Sequence, residues 1–193
     1  ANDLLDLESD LLHPRKRLRP FASGTLPIWM GVLIAPVLLG ASLCIGSLVN
    51  GSFFSWLVGY FLLTCAYSWL LKRLMLVDSL TLALLYTLRI VAGAAAASQT
   101  ISFWLLAFSV FLFLSLAFVK RYAELELQRL SGKLTLHGRG YHTDDGSLVQ
   151  TMGIASGYAA VLVQALYLNS DAVVQLYRTP QVIWGTVPVV LFW

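Results

Sequence analysis

Apolar runs long enough to cross a bilayer recur along this chain, divided by short polar breaks. A helix needs about 20 apolar residues to traverse a hydrocarbon core roughly 30 Å thick. By that measure the pattern predicts five complete spans, at about 26–48, 53–71, 79–98, 102–119 and 149–168. A sixth run begins near Gln181 and reaches Trp193 after 13 residues, too few for a crossing. The alternating segments of about 10 residues that mark a membrane β-barrel are absent. The expected class is all-α: a polytopic transmembrane helical bundle, one domain over residues 1–193, lacking helices at both ends.

Composition agrees. The chain is 58% hydrophobic and 12% charged, about half the charge of a typical soluble domain. The charges also give a direction. Eleven of the 13 basic residues fall in three segments, at 15–19, at Lys72 and Arg73, and between Lys120 and Arg139. Nearly neutral turns separate them, at 50–51, 98–100 and 169–177. Five crossings put the basic segments on one side, which the positive-inside rule makes cytoplasmic. The excess of cations thus reports topology and not a nucleic-acid partner. Integral placement in a plasma (inner) membrane follows, with membrane lipid as a partner and oligomerisation left open. Cys44 and Cys65 lie inside apolar spans and read as small packing residues. Trp29, Trp56 and Trp104 sit near span ends, as interfacial aromatics do. Gly93, with Ala92 and Ala94–Ala97, predicts a face for close helix packing.

The chemistry concentrates at the start, NDLLDLESDLLHPRKRLRP. On a helix, Asn2, Asp3, Asp6 and Asp10 share one stripe, because steps of three, four and seven residues return to the same face. Three stacked carboxylates repel one another unless a cation joins them. Mg²⁺ suits the set, since it takes oxygen ligands and commonly completes its shell with substrate phosphates. Pro14 stops the helix. Arg15, Lys16, Arg17 and Arg19 follow as a loop that can grip the same phosphates, held short by Pro20 and the small residues at 22–24.

These residues resemble a known family. Asn2-Asp3 with Asp6 and Asp10, then His13-Pro14, Lys16, Arg19 and Pro20, is similar to the first aspartate-rich motif of the UbiA superfamily of intramembrane prenyltransferases. The tail resembles the branch that includes decaprenyl-phosphate phosphoribosyltransferase. Tyr67-Ser68, Leu71-Lys72, Asp78, Leu88-Arg89 and Val91–Ala94 fit the same branch, as do Lys120–Glu124 and Arg139–Tyr141. The resemblance implies a UbiA-type fold around a cavity, with Mg²⁺ held by Asp3, Asp6 and Asp10 as the catalytic set. It implies a lipid-linked isoprenoid substrate and a diphosphate donor. One scheme passes 5-phosphoribose from phosphoribosyl pyrophosphate to a polyprenyl phosphate. The other passes a prenyl group from a prenyl diphosphate to an aromatic or other acceptor. A carrier of lipid-linked phosphates is the competing class, although three carboxylates have no obvious use in one.

Substrate contacts are expected from Asn2, Lys16, Arg19, Arg89, Lys120, Tyr122, Glu124, Arg139, Tyr141 and Asp145. The family's second acidic motif has no DxxxD counterpart in the loop 120–147, and Glu124 and Asp145 are the first choices in its place. Asp144-Asp145-Gly146 also suits a cap for the helix that follows. Arg89 falls in the middle of an apolar span, where a charge costs at least about 2.5 kcal/mol unless it faces protein or water. It is expected to face the cavity and meet a phosphate or a carboxylate. Asp78 reads as an N-cap for the span starting near Ser79.

Overall fold

A computed structural model describes residues 7, 11, 16–132, 139–170, 173 and 180–192. Every regular element among them is helical. Five long helices follow in order: α1 (Ile28–Val49), α2 (Gly51–Trp69), α3 (Val77–Ala96), α4 (Phe103–Leu130) and α5 (Gly146–Leu168). Two short ones follow, α6 (Pro180–Ile183) and α7 (Thr186–Leu191). Each long helix packs on its sequence neighbours, α1 on α2, α2 on α3, α3 on α4 and α4 on α5, and α7 closes on α5. The chain therefore runs up and down, and the basic segments gather at one end.

Helices α1, α3, α4 and α5 (the last with the turn before it) are long and apolar enough to cross a membrane. The predicted span 53–71 is helical but falls outside that set, because serines, tyrosines and tryptophans dilute α2. The predicted span 102–119 continues as helix to Leu130. Lys120–Leu130 is rich in good helix formers, so the helix outruns its hydrophobic stretch and carries its charges beyond it. The last run breaks at Trp184-Gly185 into α6 and α7.

Packing is closest between α4 and α5, and small residues cause it. A Cβ on Gly153 would lie 3.2 Å from the Phe118 Cβ, and one on Gly157 would lie 3.2 Å from the Ser115 hydroxyl. The Ser115 hydroxyl donates to the Gly153 carbonyl at 2.9 Å. This Gly-x-x-x-Gly spacing lets two backbones approach. At Gly93 itself no such approach is seen among the described residues, since a Cβ there would meet nothing within 4 Å. The buried core lies at the basic end, where Phe118, Leu125, Tyr141 and Val149 cluster with Met75, Leu76, Leu114 and Tyr122 against them.

Candidate active site

The turn between α2 and α3 sets the first part of the site. Leu76 sits at φ 64°, ψ −42°, and the Val77 N–H donates to the Met75 carbonyl at 2.7 Å. That is a γ-turn of the positive-φ kind, which is rare and strained. It is held from elsewhere in the chain. The Leu76 N–H donates to the Tyr141 hydroxyl at 3.0 Å, and the Ser79 hydroxyl lies 3.3 Å from the same oxygen. Tyr141 reaches this point because Gly140 passes against the turn: a Cβ on Gly140 would run into the Arg73 carbonyl oxygen. Only glycine fits there. Arg139-Gly140-Tyr141 thus docks as a unit onto the start of α3.

Docking delivers Arg139 to Asp78. The Asp78 carboxylate is wholly buried and gathers side chains from three other segments. Tyr67 on α2 donates its hydroxyl to Oδ1 at 2.8 Å. Arg139 Nη1 donates to Oδ1 at 2.9 Å and to Oδ2 at 3.2 Å. Arg121 on α4, also wholly buried, places Nη2 2.5 Å from Oδ2. That contact is an ion pair without hydrogen-bond geometry, and Arg121 Nε and Nη2 are buried with no acceptor. Arg121 Nη1 donates to Glu124, three residues on, and its Cζ lies 5.5 Å from the centroid of the Tyr141 ring. Glu124 Oε2 is in turn 4.0 Å from Arg139 Nε.

Two carboxylates and two guanidiniums therefore interlock in two layers. Asp78 and Arg121 form the inner layer, at 0% exposure, and Glu124 and Arg139 the outer one, at 31% and 23%. Burial works against the Arg139 cation, but Asp78, then Tyr67 and Glu124, outweigh it and hold its pKa above the usual arginine value. Asp78 is not the N-cap expected for α3. It lies inside the first turn, with Leu76 at the cap position, and its carboxylate serves the arginines.

A second polar feature lies deeper. Tyr60, Thr64, Tyr67 and Ser68 line one face of α2, and Leu82, Leu85, Tyr86 and Arg89 one face of α3; between them is a cavity of about 200 Å³. Arg89 Nε and Nη2 both donate to the Tyr60 hydroxyl, at 3.1 and 2.7 Å. Its Cζ lies 5.5 Å from the Tyr60 centroid and 5.1 Å from the Tyr86 centroid. Tyr86 is braced by Phe113 of α4, with centroids 5.3 Å apart. No carboxylate among the described residues pairs with Arg89. Tyr67 belongs to both features, lining the cavity and donating to Asp78.

Among the residues expected to bind substrate, Glu124, Arg139 and Tyr141 thus meet in one cluster. Tyr122 is half-buried against its core, and Lys120 is exposed at the same end of α4. Arg89 is in the deeper cavity. Asp145 is apart from both, its carboxylate accepting the His142 N–H at 2.7 Å while the residue holds the N-cap position of α5. Lys16 opens a 3₁₀ turn, Lys16–Leu18, and Arg19 is half-buried in the loop after it. That loop closes tightly, with the Leu26 N–H and the Thr25 hydroxyl donating to the Pro20 carbonyl at 3.0 and 2.9 Å. Asn2, Asp3, Asp6 and Asp10 lie outside the described residues. Among the described residues no three metal-ligating side chains come together, and Asp78 and Glu124 are each engaged by arginine. Tyr60 and Tyr86 are site residues that sequence reasoning passed over, whereas Tyr67, Asp78 and Arg121 were singled out only as parts of the family pattern, Asp78 as a cap and Arg121 within Lys120–Glu124.

Apolar antiparallel helices around a carboxylate–arginine cluster at one end and a cation-bearing cavity below it define a membrane protein with a polar site inside the bundle. The sequence profile of the UbiA prenyltransferase family matches residues 1–193, and the chain belongs to that family. Nodulation protein NoeC of Azorhizobium caulinodans is 37% identical over 90% of this chain and 57% of its own length. Decaprenyl-phosphate phosphoribosyltransferase of Mycolicibacterium smegmatis is 36% identical over 68% of this chain and 41% of its own. The chain thus spans about half the length of these relatives. The solved structure of a UbiA homolog from Archaeoglobus fulgidus matches with a TM-score of 0.72, covering 98% of this chain and 65% of that one at 16% identity, a likeness of fold.

Proposed function

We propose that this protein is a membrane-embedded, Mg²⁺-dependent transferase that displaces pyrophosphate from a diphosphate donor, moving 5-phosphoribose from phosphoribosyl pyrophosphate to a polyprenyl phosphate. The observation that carries the reading is the part-exposed guanidinium of Arg139, fixed at the basic end by a buried carboxylate. A preorganised cation at that boundary is what the charge growing on departing pyrophosphate requires. In this reading Asp3, Asp6 and Asp10, with Asn2, would hold Mg²⁺, which would supply positive charge to the departing pyrophosphate. Lys16, Arg19, Lys120 and Arg139 take the remaining phosphate oxygens, Glu124 and Tyr141 hold Arg139 and its loop, and Tyr122 packs against the core beneath them. Arg89 takes a further phosphate or carboxylate in the cavity. The ribose C–O bond breaks with its electron pair going to pyrophosphate, and an oxygen of the lipid phosphate bonds to the carbon. The basic end faces the cytoplasm of a plasma membrane.

Prenyl transfer from a prenyl diphosphate is the second reading. An apolar groove of about 270 Å³, lined by Leu112, Leu116, Val119, Ile154, Val161 and Leu191 among others, suits the isoprenoid chain that both readings require. The test is the full chain in lipid nanodiscs with Mg²⁺, offered each labelled donor with its acceptor. Pyrophosphate released only from phosphoribosyl pyrophosphate supports the first reading, and release only from the prenyl diphosphate replaces it with the second. Lipid-phosphate binding without release from either makes the protein a carrier.

A further inference from the structure

Glu124 and Asp145 are the carboxylates that a second acidic set between α4 and α5 would use, and both are engaged by the chain itself. Asp145 turns back to accept the His142 N–H at 2.7 Å. Glu124 Oε2 accepts from Arg121 Nη1 and lies 4.0 Å from Arg139 Nε. An ion on that oxygen, at the roughly 2.1 Å of an Mg²⁺–oxygen bond, would lie within about 6 Å of Arg139 Nε and nearer still to Arg121 Nη1. Asp78, the other carboxylate of the cluster, is closed off by the same two guanidiniums. These two carboxylates and two guanidiniums already balance. A divalent ion there would meet two fixed cations and gain no uncommitted carboxylate, so the field opposes it. Glu126 faces Arg129 at 3.8 Å, and Asp144 is exposed on the turn before α5. No three metal-ligating side chains meet among the described residues.

The cluster offers a cation of its own instead. Arg139 commits Nη1 to Asp78 and keeps Nε toward Glu124. Its Nη2 has no acceptor among the described residues, and the side chain is 23% exposed. Asp78 and Tyr67 fix the guanidinium, and the close approach of Gly140 with the Tyr141 hydrogen bond fixes the backbone on either side. We infer that the donor's diphosphate is bound with one divalent ion and not two, and that Arg139 supplies the second positive charge. In two-metal sites for phosphoryl transfer a pair of ions shares the phosphate oxygens. A guanidinium carries half the charge of such an ion, but its planar fork directs donors at phosphate and it needs no free carboxylate to hold it. Glu124 is then a partner of arginine and not a ligand of a metal. The inference rests on the reading of the protein as a Mg²⁺-dependent transferase, since it concerns how that enzyme holds its diphosphate.

The test counts Mn²⁺, standing in for Mg²⁺, on the full chain in nanodiscs of neutral lipid with saturating inorganic pyrophosphate, and measures pyrophosphate affinity in parallel. One Mn²⁺ per chain is expected, with the paramagnetic resonance spectrum of an isolated ion. Loss of that ion in Asp6→Asn, with the ion kept in Glu124→Gln and in Asp145→Asn, supports the inference. Arg139→Gln should keep the ion while weakening pyrophosphate at least tenfold, and Arg139→Lys should recover part of that loss. Two Mn²⁺ per chain with a coupled spectrum overturn the inference and leave the transferase reading standing. So does a single ion that Glu124→Gln or Asp145→Asn removes, or unchanged pyrophosphate affinity in folded Arg139→Gln. The ion count in the two carboxylate variants decides the matter even where no Arg139 variant folds. A folded wild type that holds no Mn²⁺ with pyrophosphate sinks the Mg²⁺-dependent reading itself, and the inference with it.

Discussion

The cluster around Asp78 and the cavity around Arg89 each set a tyrosine of α2 against a charge of α3, to opposite ends. At the basic end every inner charge is answered. Asp78 and Arg121 are wholly buried in contact, and Arg139 and Glu124 complete the set. In the cavity a lone arginine is steadied by phenols and has no carboxylate among the described residues. A closed set of charges specifies how segments distant in sequence meet, whereas an open cation stores affinity for something outside the chain. The contrast separates structural from ligand-facing charge within one bundle, and it can be broken at either end.

The largest effect is expected at Arg121. Arg121→Met leaves Asp78 buried with one cation fewer, and breaking a buried pair costs about 3–5 kcal/mol. Thermal unfolding in detergent should register it as the least stable single variant, and adding Asp78→Asn should recover part of the loss. A change within about 1 kcal/mol of wild type would mean that the inner pair holds nothing together.

Gly140→Ala comes next. The new methyl would press on the Arg73 carbonyl at a distance no side chain tolerates, so the 139–141 segment must lift away. An overpacked site of this kind costs roughly 2–3 kcal/mol. Because Arg139 and Tyr141 flank the glycine, lifting the segment removes both from the start of α3. Faster amide exchange at Leu76 is the specific sign, and unchanged exchange would place the docking of this loop in error.

What the sequence made legible, and what it hid, follows the same division. The helices were legible because bilayer crossing imposes a length on apolar runs, and α1, α2, α3 and α5 begin and end within a few residues of expectation. Helix α4 outran its prediction because hydropathy marks where the membrane ends and says nothing about where good helix formers stop. Asp78 looked like a cap because its true partners are 43 and 61 residues away, beyond any local pattern. One signal was present: Arg121 and Glu124 are spaced to share a face and pair if residues 120–130 are helical. Arg89 was legible for a different reason. A charge amid apolar residues needs an explanation whatever its neighbours are, and only the identity of Tyr60 and Tyr86 as its company needed three dimensions.

Tyr141→Phe is a narrower cut through the same loop. It keeps the ring beneath Arg121 and removes only the oxygen that accepts the Leu76 N–H. An unmet buried donor costs about 1–2 kcal/mol here, toward the low end of its usual range. Leu76→Gly relieves the positive φ but keeps the same N–H, so the penalty of Tyr141→Phe should persist in that background. A double variant clearly more stable than the sum of the two single ones would show that Tyr141 acts by holding the strained turn.

The smallest effect on stability is expected at Arg89, and there the comparison becomes sharpest. Arg89→Gln forfeits two hydrogen bonds to Tyr60, each modest at an exposed site. It also removes a cation from mid-membrane, where its presence costs at least about 2.5 kcal/mol on insertion scales. The two terms oppose each other, and unfolding in detergent should place the variant within about 1 kcal/mol of wild type. If that holds while Arg121→Met is crippled, two arginines on adjacent helices are doing different work, one keeping the bundle in register and one kept available. A loss at Arg89 as large as that at Arg121 would instead make both structural and close the cavity as a place for a ligand.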